Sequence, residues 1–138
     1  MDDFSFPGRA LTCREVTRMK PTINSTRFGS ITIEGGIYEH DVLIRLGGEV
    51  KKRKKKLSKA IYGTSHVISL DEAKFIFEER AERLIIGTGQ SGMVELSDQA
   101  TDYFRKHNCQ VQMSPTPDAI GVWNQSEGET IALFHVTC

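Results

Sequence analysis

From Ser69 onward the chain switches repeatedly between two hydrophobic periods, and that alternation restricts the folds open to it. Ser69 and Glu72 have the spacing of a capping box, which satisfies two orphan helix donors. Leu70, Ala73, Ile76, Phe77 and Ala81 then share one helical face, with Phe75 off it. Leu84-Ile85-Ile86 reads as a short buried strand ending at Gly87. Ser97 and Asp98 start a second helix, with Leu96, Ala100, Tyr103 and Phe104 on one side and Arg105, Lys106 and His107 at its end. Cys109, Val111 and Met113 alternate as a strand. Thr116-Pro117-Asp118 predicts a third helix with Thr116 as its N-cap and Trp123 closing its apolar side. Ile131 to Phe134 is apolar at every position, as in a strand covered on both faces. Upstream, Ile31 and Ile33 alternate with polar residues, and Gly35-Gly36 predicts a hairpin turn with positive φ at both glycines. Ile37-Tyr38 and Val42-Leu43-Ile44 continue the strand pattern, and Gly47-Gly48 makes a second turn. A hairpin followed by alternating helices and strands argues an α/β fold with a largely parallel sheet.

The 138 residues make one domain's worth of sequence, expected over 23–138, after an irregular segment over 1–22 whose apolar residues include Phe4, Phe6 and Leu11. No stretch reaches about 18 apolar residues, so no membrane span is expected. Met1-Asp2-Asp3 starts without the basic and apolar regions of a signal peptide. Cys13, Cys109 and Cys138 are odd in number and widely spaced, which fits reduced thiols and a cytoplasmic setting.

The formal net charge of zero hides an asymmetry. Lys51, Lys52, Arg53, Lys54, Lys55, Lys56 and Lys59 crowd into one segment; without them eleven basic residues face 18 acidic ones, a balance of −7. The chain reads as an acidic domain with one basic segment, so nucleic acid is not the expected partner. The run from Lys51 to Lys56 is expected to lie wholly outside the core, as a solvated connection or a surface for an anionic partner.

Glycines and hydroxyls supply the other candidates. Gly87-Thr88-Gly89-Gln90-Ser91-Gly92 follows a strand but does not open a helix, so it fails as a dinucleotide fingerprint. Its residues and Gly63-Thr64-Ser65-His66 are expected to form a polar cleft for a small anion, through Gly63, Thr64, Ser65, His66, Gly87, Thr88, Gly89 and Ser91. Ser65 beside His66 has no positioned acid, and His135 and Cys138 lie three apart, on opposite faces of a strand. No catalytic set, cofactor motif or metal-ligand spacing is read.

Gly63-Thr64-Ser65-His66, Leu84-Ile85-Ile86-Gly87-Thr88-Gly89 and Phe134-His135-Val136-Thr137-Cys138, in that order, resemble a small domain family of unknown function. It includes the adipogenesis-associated domain-containing protein, the mitochondrial complex I assembly factor three and many uncharacterised archaeal and bacterial proteins. Arg27-Phe28-Gly29-Ser30 followed by Tyr38 fits that family's first hairpin, and the resemblance spans Asn24 to Cys138. It implies a three-layer α/β fold: a central mixed sheet with helices on both faces and a further β layer from the N-terminal hairpin. It implies no established enzymatic activity. Asn124 to Glu129 is shorter than in some relatives, and the cationic run is stronger.

Three functions follow as expectations. The first is a non-enzymatic interaction or assembly module, with a protein partner or a weak homodimer covering Phe75. The second is a small-molecule or anion site between loops 63–66 and 87–92. The third is polyanion binding through residues 51–59.

Overall fold

The computed structural model describes residues 20–138. Phe4, Phe6, Leu11 and Cys13, and most of the irregular segment expected over 1–22, lie outside the described residues. Three short strands, β1 (Ile23–Arg27), β2 (Ser30–Ile33) and β3 (Gly36–Tyr38), form an antiparallel sheet. The central sheet is built from β4 (Val42–Ile44), β5 (Val50–Lys52), β7 (Arg83–Gly87), β9 (Gln110–Ser114) and β10 (Thr130–Phe134). Its order is β9-β7-β10-β4-β5; β7 runs parallel to β9 and β10, while β4 is antiparallel to β10 and to β5. A two-stranded parallel sheet joins β6 (Val67–Ile68) to β8 (Glu95–Leu96). The helices are α1 (Lys56–Tyr62), α2 (Leu70–Ile76), α3 (Asp98–Lys106) and α4 (Thr116–Gln125).

The continuous apolar run of β10 explains the layering. Successive strand side chains point to opposite faces. Ile131 and Leu133 therefore join Leu43, Leu84 and Ile86 against α2 and α3, where Ala73, Ile76, Ala100 and Phe104 are buried. Ala132 and Phe134 join Val42, Ile44 and Ile85 on the other face, against Ala119 and Trp123 of α4 and against Ile23, Ile31 and Ile33 of the hairpin sheet. The fold is the expected three-layer α/β arrangement with a central mixed sheet. No helix among the described residues is long and apolar enough to cross a membrane.

Local differences from the sequence reading have local causes. The β2–β3 turn falls at Glu34 and Gly35, with φ of 49° and 81°, and Gly36 pairs with Ile33 inside the ladder. That register places Tyr38 opposite Ile31 and leaves Ile37 outside, 69% exposed; a one-residue slip would turn every side chain over. Helix α2 stops at Ile76, because Phe77 takes an extended conformation and packs its ring on Tyr103 and His107. Ala81 is buried all the same, beyond the helix end. The α4 N-cap is Pro115 rather than Thr116, whose hydroxyl is used elsewhere: it accepts from the Gly89 N–H at 2.9 Å and donates to the His135 carbonyl at 2.6 Å. Helix α1 was not expected at all. Its first turn has no acid and no side-chain cap, and Ser58 is its one buried residue, so no apolar stripe marks it.

Gly89 is held by two independent constraints. Its φ is +108°, and a Cβ placed there would lie 2.2 Å from the Cys138 carbonyl carbon and 2.8 Å from the His135 ring. Gly89→Ala is therefore expected to cost at least about 2 kcal/mol, the left-handed penalty plus displacement of residues 135–138. Urea unfolding that leaves the midpoint unchanged would contradict this.

Candidate functional site

The site begins where β4 and β5 run out together. The Val42↔Lys52 register puts Asp41 and Arg53 side by side, and the Arg53 N–H donates to the Asp41 carbonyl at 3.1 Å. Arg53 is 4% exposed, which corrects the expectation that the whole basic run lies outside the core. A buried guanidinium requires ionic partners. Its Nε and Nη2 donate to the Glu72 carboxylate at 2.6 and 3.1 Å, its Nη1 to Asp41 Oδ2 at 2.9 Å, and its Nη2 to the Ser65 carbonyl at 2.8 Å. Burial alone would lower its pKa; the hydrogen bond and charge of Glu72, with those of Asp41, raise it above the usual arginine value.

This ion pair modifies the capping box. The Ser69 hydroxyl does accept the Glu72 N–H at 3.1 Å. The Glu72 carboxylate does not return to Ser69; it binds Arg53 and accepts from the Ser58 hydroxyl of α1. Ser58 supplies what the box would have supplied, accepting the Ser69 N–H at 2.9 Å.

Asp41 carries the network to the far end of the chain. Its Oδ1 accepts the Val136 N–H at 2.9 Å, and its Oδ2 lies 2.7 Å from His135 Nδ1. Burial pushes this carboxyl upward, but hydrogen bonds from His135 and Val136, with the charges of His135 and Arg53, hold it at about 2. Ionised Asp41 accepts only, so it fixes the proton of His135 on Nδ1. In the neutral ring Nε2 is then the acceptor, and it lies 3.1 Å from the Thr137 hydroxyl. Asp41 and His135 are buried, whereas Thr137 is half-buried. Thr137 lines a depression of about 370 Å³ with Gly29, His40, Lys52 and Lys55. Beside it, Lys52, Arg53, Lys54, Lys55, Lys56 and Lys59 line an open basin of about 530 Å³.

The other predicted residues are placed differently. Lys51, Lys52, Lys54 and Lys56 are exposed and Lys55 half-buried, its Nζ 3.9 Å from Asp41. Phe75 is half-buried; Lys54 Nζ lies 4.8 Å and the Arg45 guanidinium 5.6 Å from its ring centre. Loops 63–66 and 87–92 both reach His135: the His66 ring lies 5.4 Å from that of His135, and a Cβ at Gly89 would lie 2.8 Å from it. Between them, however, runs the segment 135–138. The N–H groups of Gln90, Ser91 and Met93 donate to the carbonyls of Thr137 and Cys138, and those of Thr88, Gly89, Gly92 and Val94 also have internal acceptors. Thr64 accepts the His66 N–H, and the Ser65 carbonyl serves Arg53. The donors expected to converge on an anion are thus engaged by the chain. Thr88 is buried and Ser91 is exposed, while Gly63 is the left-handed C-cap of α1. Asp41, Glu72 and Thr137 carry no local site signal in the sequence, and no local pattern links His135 to Asp41, 94 positions away.

A family model described as "Protein of unknown function (DUF498/DUF598)" matches residues 23–135. The crystal structure of the conserved hypothetical protein PH1505 from Pyrococcus horikoshii OT3 is similar at 30% identity and a TM-score of 0.80, covering 85% of this chain and 99% of that one. The structure of MT938 is similar at 32% identity and a TM-score of 0.74, covering 86% and 100%. The solution structure of a Mth938-like domain from Bordetella pertussis shares the fold at 11% identity and a TM-score of 0.58, covering 96% and 92%.

Removing the cation leaves two buried carboxylates uncompensated. Arg53→Met is expected to lose about 3–5 kcal/mol in chemical unfolding; a loss below about 1 kcal/mol would mean that the network contributes little. Asp41 is depressed in the folded state, so its stabilisation is present above the unfolded carboxylate value and is lost as pH falls towards about 2. About 2 kcal/mol of stability should disappear over that interval. Asp41→Asn should flatten this part of the pH–stability curve.

Proposed function

Since the chain belongs to the DUF498/DUF598 family of proteins of unknown function, a description that carries no activity, we propose from the geometry that the domain is an interaction module that docks an acidic segment of a protein partner. The observation that carries the reading is the basin lined entirely by Lys52, Arg53, Lys54, Lys55, Lys56 and Lys59. Arg53 is neutralised by Asp41 and Glu72, so it acts as the anchor beneath the basin. The lysines face solvent from a strand end, a connection and a helix that the anchor holds in place. They are therefore presented on ordered backbone, unlike a flexible basic tail.

The size and surroundings of the basin favour a short acidic segment over a long polyanion. Apart from the basic segment the chain is acidic by seven charges, eleven basic against 18 acidic residues, and would repel an extended nucleic acid beyond the basin. The resemblance to a family that includes an assembly factor agrees with this reading. A bland alternative also has a physical basis: β5 is an edge strand, and lysines on an edge prevent strand pairing between molecules. A cytoplasmic setting belongs to the same proposal and rests on the cysteine pattern.

Lys54, Lys56 and Lys59 are exposed and can be changed without disturbing Arg53. The variant Lys54→Gln/Lys56→Gln/Lys59→Gln should lose no more than about 1 kcal/mol of stability, from the Lys54–Phe75 contact, and bind a fluorescent Glu-rich peptide about 10-fold more weakly, at up to about 1 kcal/mol per charge. Equal binding by the variant, or tighter binding of duplex nucleic acid than of the peptide at the same salt, would overturn the acidic-segment reading.

A further inference from the structure

A hydroxyl, an imidazole and a carboxylate lie in series at the depression beside the basin. Thr137 Oγ1 is 3.1 Å from His135 Nε2, and His135 Nδ1 is 2.7 Å from Asp41 Oδ2. We propose that Thr137 is a nucleophile activated by His135, which Asp41 orients, and that the depression takes small carboxylic esters bearing an anionic group.

The order of the three groups matches the roles that acyl transfer requires: nucleophile, base and orienting acid. Their exposure follows the same order. Thr137 is half-buried at the depression, while His135 and Asp41 are 1% exposed. Asp41 cannot swing away, because Val136 N–H and Arg53 hold its two oxygens. The His135 ring is confined by the edge of His66 and by Gly89, where no Cβ intrudes. Lys52 and Lys55 line the depression together with one further carboxylate, Glu39, and the lysine charge would hold the anionic group of the ester.

In the first step Thr137 Oγ1 forms a bond to the ester carbonyl carbon, and its proton passes to His135 Nε2. As the bond from carbon to the alkoxy oxygen breaks, the same proton goes to the leaving alkoxide. A water molecule, deprotonated by Nε2, then attacks the acyl-threonine. The carboxylic acid is released and the Thr137 hydroxyl is restored. Water is the one co-reactant, and no oxidant or reductant enters. Thr137 and His135 are the catalytic residues here, and Asp41 is a positioning residue.

This inference stands apart from the docking reading, because the peptide-docking variant changes lysines outside the depression. The full chain is incubated with a fluorophosphonate probe, which loses fluoride when a nucleophilic hydroxyl attacks phosphorus, and the modified residue is mapped by mass spectrometry. The wild type should be labelled at Thr137, Thr137→Ser at least as fast, and Thr137→Val not at all. His135→Gln should slow labelling by about 10²-fold or more, with folding checked by circular dichroism. The Lys54→Gln/Lys56→Gln/Lys59→Gln variant should label normally. Labelling of the wild type no faster than that of Thr137→Val or of heat-unfolded chain would overturn the proposal. So would hydrolysis of anionic and neutral p-nitrophenyl esters at the buffer rate.

Discussion

The Arg53 guanidinium is the point on which the separate parts of this domain converge. A buried cation between two carboxylates is stable only if its surroundings are complete. Asp41 comes from the entry to β4, Glu72 from the first turn of α2, and the Ser65 carbonyl from the connection between them. Ser58 of α1 completes the coordination of Glu72. One side chain thus ties an edge of the central sheet to two helices and, through Asp41, to the chain's final residues. The cluster contains two carboxylates against one guanidinium, and the deficit is met by N–H and O–H donors from Val136, His135 and Ser58. The alternative, an unpaired buried carboxylate, is costly enough that the pairing specifies where α1 and α2 sit.

The segment 135–138 is the second organising element. After β10 it runs between two loops and accepts the Gln90, Ser91 and Met93 N–H groups of the glycine-rich one. Gly89 is a glycine for that reason, since a Cβ there would overlap Cys138, whereas a Cβ at Gly87 would meet Phe134 of β10 at 2.7 Å and Thr116 of α4 at 2.8 Å. The loop that looks in sequence like an anion cradle is a cradle for the chain's own carbonyls. The same close approach sets His135 against Asp41 and puts the Thr137 hydroxyl 3.1 Å from the His135 ring at the depression. Packing and site geometry are therefore one problem in this region, because the residues that fill the gap are the residues that create the relay.

Much of the architecture was legible because it depends on local rules. Period-two and period-3.6 patterns, Ser69 and Ser97 as caps, and the double-faced apolar run of β10 depend on neighbours within a few positions. The rest required distant partners. Helix α1 has no apolar stripe, so periodicity could not reveal it; its one buried residue serves a hydrogen-bond network. The capping box was legible in its first half, the Ser69 hydroxyl on the Glu72 N–H. It was misleading in its second half, because a buried arginine competes for the Glu72 carboxylate more strongly than a backbone amide does.

Composition and pattern by themselves determined that the chain builds a layered α/β fold and carries its positive charge in one segment. Both properties are sums over local sequence, and solvent enforces them wherever the elements end up. Only the tertiary structure decided which cation of that segment goes inside. Lys51 to Lys56 differ little in sequence, yet Arg53 alone sits at the register position that faces Asp41 and Glu72. Its planar guanidinium can satisfy both carboxylates at once, which a lysine ammonium cannot do with the same geometry. The Asp41–His135–Thr137 series is likewise a product of strand pairing. The antiparallel register of β4 against β10 brings together positions 94 residues apart, and no local pattern encodes that contact.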